Sequence, residues 1–136
     1  MKAVVDTNVI AYGLLGNPQH APEAMTFLQS ADELLAPSLW ETELANVIWM
    51  AARTGAISSE EAPAKLALAA RLGIHSIANR TLWHGALLRS LQSGVAVYDT
   101  LFVELAARED VSLATFDQKL AKVYPAIARR PAACAP

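Results

Sequence analysis

VVDTNVI, residues 4–10, drives a β-branched run straight into Asp6, with Thr7 and Asn8 before apolar residues resume. The preceding KAVV reads as a short buried strand, the first of a sheet. If strands and helices alternate after it, the sheet is parallel, and ligands bind beyond the carboxyl ends of its strands. Asp6 then stands on that edge. An aspartate there is either the cap of the next helix or a ligand for something bound in the crevice. One residue does not decide between them.

The chain downstream does alternate. VIAYGLL reads as one or two helical turns closed by the turn signal GNP, and HAPEAMTFLQSA as a helix with proline near its start. ELLAPS is a second short strand, ended by its proline. SLWETELANVIWMAARTG is a helix with Ser38 as N-cap and Gly55 at its C-terminal end. SSEEAPAKLALAARLG opens on a capping-box pattern. IHSIA is a third strand, followed by the helix NRTLWHGALLRSLQSG, in which Gly85 weakens the helical propensity. YDTLFVELAARED is a helix entered through Tyr98 and Asp99, VSLAT a strand, and FDQKLAKVY a short helix. The expected class is α/β, a parallel sheet of four to five short strands with helices on both faces. Residues 1–124 form the expected single domain. Residues 125–136 lack periodicity and predict a Pro/Ala-rich, partly disordered tail.

Composition narrows the function classes. Alanine supplies 27 of 136 residues, which favours packed helix. A formal charge of −2 argues against a general nucleic-acid coat, though not against an enzyme that meets nucleic acid through bound cations. A single cysteine, Cys134, excludes a disulfide framework and a cysteine zinc site. MKAVVDTN meets a carboxylate too early for the apolar region of a signal peptide, and no uncharged stretch reaches membrane-span length. A cytoplasmic protein is expected.

Four of the thirteen acids stand out. Asp6 and Asp117 each follow a strand. Asp99 opens a helix with Phe102 and Val103 at i+3 and i+4. Of the two glutamates in WETELAN, Glu43 has Leu39, Trp40, Val47 and Met50 as helical neighbours. Glu41 has the smaller, mixed set Pro37, Ser38, Leu44 and Ala45, so Glu43 is read as the one facing inward. No lysine or arginine is near Asp6, Glu43 or Asp99 in sequence. Carboxylates converging at about 4 Å repel by roughly 1 kcal/mol per pair in water and about 4 at an effective dielectric near 20. Several such pairs consume much of a stability of about 5–15 kcal/mol. Divalent cations cancel the charge, and hard oxygen ligands select Mg²⁺ or Mn²⁺. Such a site is the apparatus of two-metal phosphodiester hydrolysis, which needs no protein nucleophile. Taken singly, Asp6 and Asp117 read equally well as caps or turn residues, Asp99 as a first-turn acid favoured by the helix dipole, and Glu43 as an exposed acid.

The motifs together resemble the PIN-domain nucleases, and most closely the small VapC-type toxins of bacterial toxin–antitoxin pairs. The resemblance runs to about Tyr124. VVDTNVI looks like the opening motif, PSLWETELANVI like the second with E-x-x-N on Glu43 and Asn46, YDTLFVELA like the third with Asp99, and LATFDQKL like the last, with Thr115 and Asp117 in T-x-D. It implies a Mg²⁺- or Mn²⁺-dependent endoribonuclease in which Asp6 and Asp99 are principal ligands, completed by Glu43 and Asp117. Asn8, Asn46 and Thr115 would orient those carboxylates. It also implies a homodimer, an RNA substrate and a small antitoxin partner. Arg53, Arg80 and Arg89 are candidate RNA contacts. Trp40, Trp49 and Trp83 fit ordinary core packing better than partner contacts.

Other readings are weaker. A haloacid-dehalogenase-type phosphotransferase needs D-x-D, and the second position is Asn8. A receiver domain needs a mid-chain phospho-acceptor, and residues 44–59 contain no aspartate. No P-loop, G-x-G-x-x-G or G-x-S-x-G occurs. His20, His75 and His84 lack zinc-helix spacing and read as surface or satisfied core residues, and Arg129 with Arg130 as a solvated pair. The competing functions are a catalytically inert PIN-like binding module and an RNA-processing nuclease without a toxin role.

Overall fold

A computed structural model describes residues 1–134. Its spine is a five-stranded, wholly parallel sheet in the order β3-β2-β1-β4-β5. The strands are β1 (Lys2–Val5), β2 (Glu33–Pro37), β3 (His75–Ile77), β4 (Leu113–Ala114) and β5 (Ala128–Arg129). Between them run α1 (Thr7–Leu15), α2 (Ala21–Ser30), α3 (Leu39–Arg53), α4 (Glu61–Ala70), α5 (Asn79–Ser93), α6 (Val97–Glu109) and α7 (Gln118–Val123). The helices cover both faces. β1 is buried from Ala3 onward because it lies mid-sheet, and Phe102, Val103 and Leu105 of α6 join it in the core.

Local chemistry fixes several boundaries. The SSEE signature forms as expected: Ser58 N–H donates to Glu61 at 3.1 Å, and Glu61 N–H donates to the Ser58 hydroxyl at 3.0 Å. Gly55 follows the end of α3 with φ +81°, a conformation that suits glycine. Ser38 is a correction. Its backbone is already helical and its hydroxyl caps nothing in α3. Instead Leu39 N–H donates to Asn79 Oδ1 at 3.0 Å, and Asn79 N–H donates to the Ser38 hydroxyl at 3.3 Å. The starts of α3 and α5 thus satisfy each other across adjacent strands, a partnership invisible in a local pattern.

The tail expectation is also corrected through residue 134. Ala128–Arg129 adds β5 beside β4, and Pro131–Ala133 forms a 3-10 turn. Arg130 leaves solvent partly to bond Glu23 of α2 and to lie over the Phe116 ring. Two residues are too short for a periodic signal, and the pairing that holds them is non-local. The expectation for residues 135–136 falls outside the described residues. Trp40 is buried, but Trp49 and Trp83 are more than half exposed, each under an arginine, Arg53 and Arg80 respectively. No helix among the described residues is long and apolar enough to cross a membrane.

Gly85 does not break α5, because the carboxylate of Glu104 occupies the place of its missing side chain. A Cβ there would lie 2.4 Å from the Glu104 carboxyl carbon, which Arg89 and Arg108 hold from both sides. Gly85→Ala therefore sets a helix-propensity gain of about 1 kcal/mol against expulsion of a doubly paired carboxylate. It is expected to lower Tm in the wild-type background and to raise it once Glu104 is alanine; thermal unfolding of the four proteins checks both signs.

Candidate active site

Sheet order reverses beside β1, which passes to β2 on one side while β4 arrives on the other. A crevice opens at their carboxyl ends. Asp6 ends β1, and Thr115 and Asp117 follow β4; the Asp6 amide donates to Ala114 O at 2.9 Å, locking the two ends in register. Asp6 occupies the N-cap position of α1, yet its carboxylate makes no capping hydrogen bond to the N2 or N3 amide. It accepts instead from the Thr115 hydroxyl at 2.7 Å and from Asn8 Nδ2 at 3.4 Å.

Thr115 and Asn8 knit this edge. Thr115 is 1% exposed; its hydroxyl also accepts from Asn8 Nδ2 at 3.3 Å and from the Asp117 amide at 3.0 Å. Asn8 Oδ1 accepts from Phe116 N–H at 3.3 Å, so the opening and closing motifs are cross-linked by side chains. Phe116 stacks on His20, which in turn stacks on Tyr12. His20 departs from the expectation of a satisfied core residue, since its buried Nδ1 has no partner among the described residues, whereas His75 and His84 are exposed.

The other acids approach from separate helices. Glu43 on α3 is half-buried and accepts from the Thr7 hydroxyl at 2.8 Å; Glu41 is exposed and bonds Ser76 instead. The buried stripe of α3 is Trp40, Leu44 and Ile48, while Val47 and Met50 are exposed. Glu43 is the more buried of the two glutamates, and of the apolar neighbours that pointed to it Trp40 is in the core and Leu39 packs against it, while Val47 and Met50 are exposed. Thr7, which turns Glu43 inward, had only its place inside DTN as a signal. Asp99 sits in the first turn of α6. Beside it Thr100, wholly buried, donates to Ala86 O at 2.9 Å and pairs with the Ser90 hydroxyl at 2.8 Å, anchoring that turn to α5. Asp117 caps α7, accepting from Leu120 N–H at 3.0 Å, so for this acid the helix-cap reading holds for one oxygen. Asn46 is exposed and, among the described residues, bonds none of the acids.

Electrostatics single out Asp6. Burial pushes its carboxyl from 3.8 up to about 7; Asp99 and Glu43 push the same way, while bonds from Thr115 and the Thr7 amide oppose them. Burial also raises Glu43, with Asp99 adding and the Thr7 hydroxyl opposing, and raises Asp99, with Asp117 adding. Among the described residues none of these four acids forms a salt bridge. No three acidic, histidine or cysteine side chains among them stand close enough to clasp an ion as placed. The four acids are instead coupled in a chain, Glu43 and Asp6 to Asp99, and Asp99 to Asp117. One buried and three partly buried carboxylates, mutually repelling and without a protein cation, are a donor set whose chemistry fits a hard divalent cation.

A PIN domain profile matches residues 3–125. The chain is 34% identical over 131 residues to Ribonuclease VapC3 of Pyrobaculum aerophilum, covering 93% of this chain and 98% of that protein. Its fold is similar to a chain in the crystal structure of VapBC2 from Rickettsia felis bound to a DNA fragment from their promoter. That similarity has a TM-score of 0.65 at 15% identity over 96% of this chain and 98% of the other. Since the profile covers nearly the whole chain, with Asp6, Glu43, Asp99 and Asp117 inside it, the chain belongs to the PIN-domain family.

Proposed function

We propose that this protein is a Mg²⁺- or Mn²⁺-dependent endoribonuclease, the toxin of a toxin–antitoxin pair, acting in the cytoplasm. The observation that carries the reading is Asp6: buried, raised toward neutrality, flanked by Glu43 and Asp99, and without a protein cation. Asp6 and Asp99 hold the metal, and Glu43 and the oxygen of Asp117 not used in its helix cap complete the set. An ion held there would supply the Lewis acidity that activates water at neutral pH and offsets charge on the departing oxygen. Thr115 and Asn8 fix the direction of the Asp6 carboxylate, and Thr7 does so for Glu43. Asn46, at the matching place in the second motif, takes part only if substrate or metal draws it in.

Partner readings have support from exposed apolar surface. Trp83, Leu87 and Leu91 form an i, i+4 stripe on α5, at 55%, 49% and 74% exposure, which suits a second copy of the chain. Apolar grooves between α3 and α4, lined by Leu44, Ala45, Ile48 and Leu66, suit an antitoxin segment. The similarity to Ribonuclease VapC3 supports RNA as the substrate.

Cleavage of structured RNA by the purified chain, freed of any co-purifying partner, tests the activity. Cutting is expected with Mg²⁺ or Mn²⁺, and neither with EDTA nor in Asp99→Asn; metal-independent cutting defeats the proposal. Growth arrest on expression, relieved by a neighbouring gene product, tests the toxin role. Within the site, Glu43→Gln is expected to lower kcat/KM at least tenfold more than Glu41→Gln, because only Glu43 faces the other acids. Equal losses would remove Glu43 from the metal set.

A further inference from the structure

We infer that the cavity between the start of α6 and α7 is a subsite for one unpaired ribonucleotide flanking the scissile phosphodiester, with Lys119 contacting its phosphate. The cavity measures about 320 Å³, the low end of small-ligand pockets and too small for a paired helix. Its lining joins the acids Asp99 and Asp117 to the polar Ser93 and the apolar Val95 and Leu120. Lys119 stands at its edge, exposed, and among the described residues it is in no salt bridge.

That combination has a chemical meaning. Two carboxylates alone repel a polyanion, so a phosphodiester reaches this wall only with cations beside it. A cation held by the acids would supply part of that charge, and the Lys119 ammonium, two residues from Asp117 on the same cavity and in no salt bridge among the described residues, supplies the rest. The apolar side offers a base or ribose a surface that a phosphate alone would not need. Arg89, by contrast, is committed to Glu104 and lies over Tyr124, which removes it from the sequence-derived candidates for RNA contact. The groove between α3 and α4 has one acid, Glu41, and no lysine or arginine in its lining. The subsite presupposes the ribonuclease reading, and its test separates the two.

Binding of a fluorescein-labelled, mixed-sequence single-stranded RNA 12-mer is measured by anisotropy in millimolar Ca²⁺ over a salt series, alongside cleavage in Mg²⁺. Lys119→Ala is expected to weaken binding about tenfold and to reduce the slope of log K against log salt by about 0.7, the value for one phosphate contact on a single strand. KM rises while kcat holds. Val123→Trp, at the exposed rim of the cavity, is expected to weaken binding similarly by filling it. Lys122→Ala, on the same helix outside the cavity, leaves the slope unchanged. Both cavity variants keep the wild-type Tm rise with Mg²⁺, which shows the acids are undisturbed. Equal slopes for Lys119→Ala and Lys122→Ala, or wild-type binding by Val123→Trp, overturn the subsite while metal-dependent cleavage stands. Lys119-dependent binding without any cleavage keeps the cavity as a nucleotide-binding pocket but overturns its place beside a scissile bond together with the nuclease reading. Absence of both binding and cleavage overturns both.

Discussion

Replacing Asp6 with asparagine is expected to abolish RNA cleavage and, at the same time, to stabilise the metal-free fold at pH 8. Asp6 is raised from 3.8 to about 7, chiefly by burial, which at 1.36 kcal/mol per tenfold corresponds to about 4 kcal/mol. A raised folded-state value means that the folded protein holds the proton more tightly than the unfolded chain. The associated stability is fully present below 3.8 and is lost as pH rises through about 7. Glu43 and Asp99 are raised too and act in the same direction. Burial raises Glu23 and Glu104, but their arginines outweigh it and hold both below the ordinary glutamate range, so their effect is opposite in sign and falls at lower pH. Metal-free wild type should therefore melt lower at pH 8 than at pH 5, and Asp6→Asn should flatten that dependence. A neutral amide keeps an acceptor for Thr115 but adds a buried N–H₂, so the gain at pH 8 is set at about 2–4 kcal/mol, or about 5–15 °C in Tm. Millimolar Mg²⁺ or Mn²⁺ should raise the wild-type Tm by mass action, about 2.7 kcal/mol at a hundred times Kd, and leave the variant unmoved. A variant less stable than wild type at pH 8, or one that still responds to metal, would mean Asp6 is an ordinary structural residue.

Thr115→Val carries the second large effect. The threonine hydroxyl donates to Asp6, accepts from Asn8 and accepts from the Asp117 amide, all in a site that is 1% exposed. Valine matches its shape but satisfies none of the three groups. Leaving a buried carboxylate without its donor costs about 1–3 kcal/mol or more, and without that bond Asp6 rises further still. Stability should fall more at pH 8, where Asp6 is ionised, than at pH 5. Metal affinity should fall about 10–100-fold, because the ligand loses the group that aims it. Thr115→Ser keeps the hydroxyl and should restore metal response and most activity. Denaturant melts at two pH values, with calorimetric titration of Mn²⁺, check every part. If serine fails to rescue metal binding, packing of the threonine methyl matters more than its hydroxyl.

Much of the architecture was legible along the chain because its causes are local. KAVV and VSLAT are short apolar runs that suit buried strands, SSEE carries its own reciprocal cap, and Gly55 marks a left-handed turn after a long amphipathic segment. The acids at strand ends were legible for the same reason. Departures cluster where a partner lies far away in sequence. Ser38 and Asn79 exchange helix-start bonds across two strands, β5 exists only because β4 pairs with it, and Gly85 is tolerated because Glu104 of another helix fills its space. Glu43 was chosen on helical neighbours of which Trp40 is buried and Leu39 partly so, while Val47 and Met50 are exposed; its hydrogen bond comes from Thr7, thirty-six residues away.

By itself, the sequence determined an alternating parallel α/β chain and the two aspartates that stand beyond the carboxyl ends of its strands, since strand period, capping chemistry and motif order act over a few residues. Only the tertiary structure decided that Asp6 is buried without a cation, that Thr115 and Asn8 stitch it to the far end of the chain, and that Arg130 is a packing residue. Burial, dielectric and hydrogen-bond partnership are properties of which surfaces meet, and residues more than a hundred positions apart meet only once the sheet has closed.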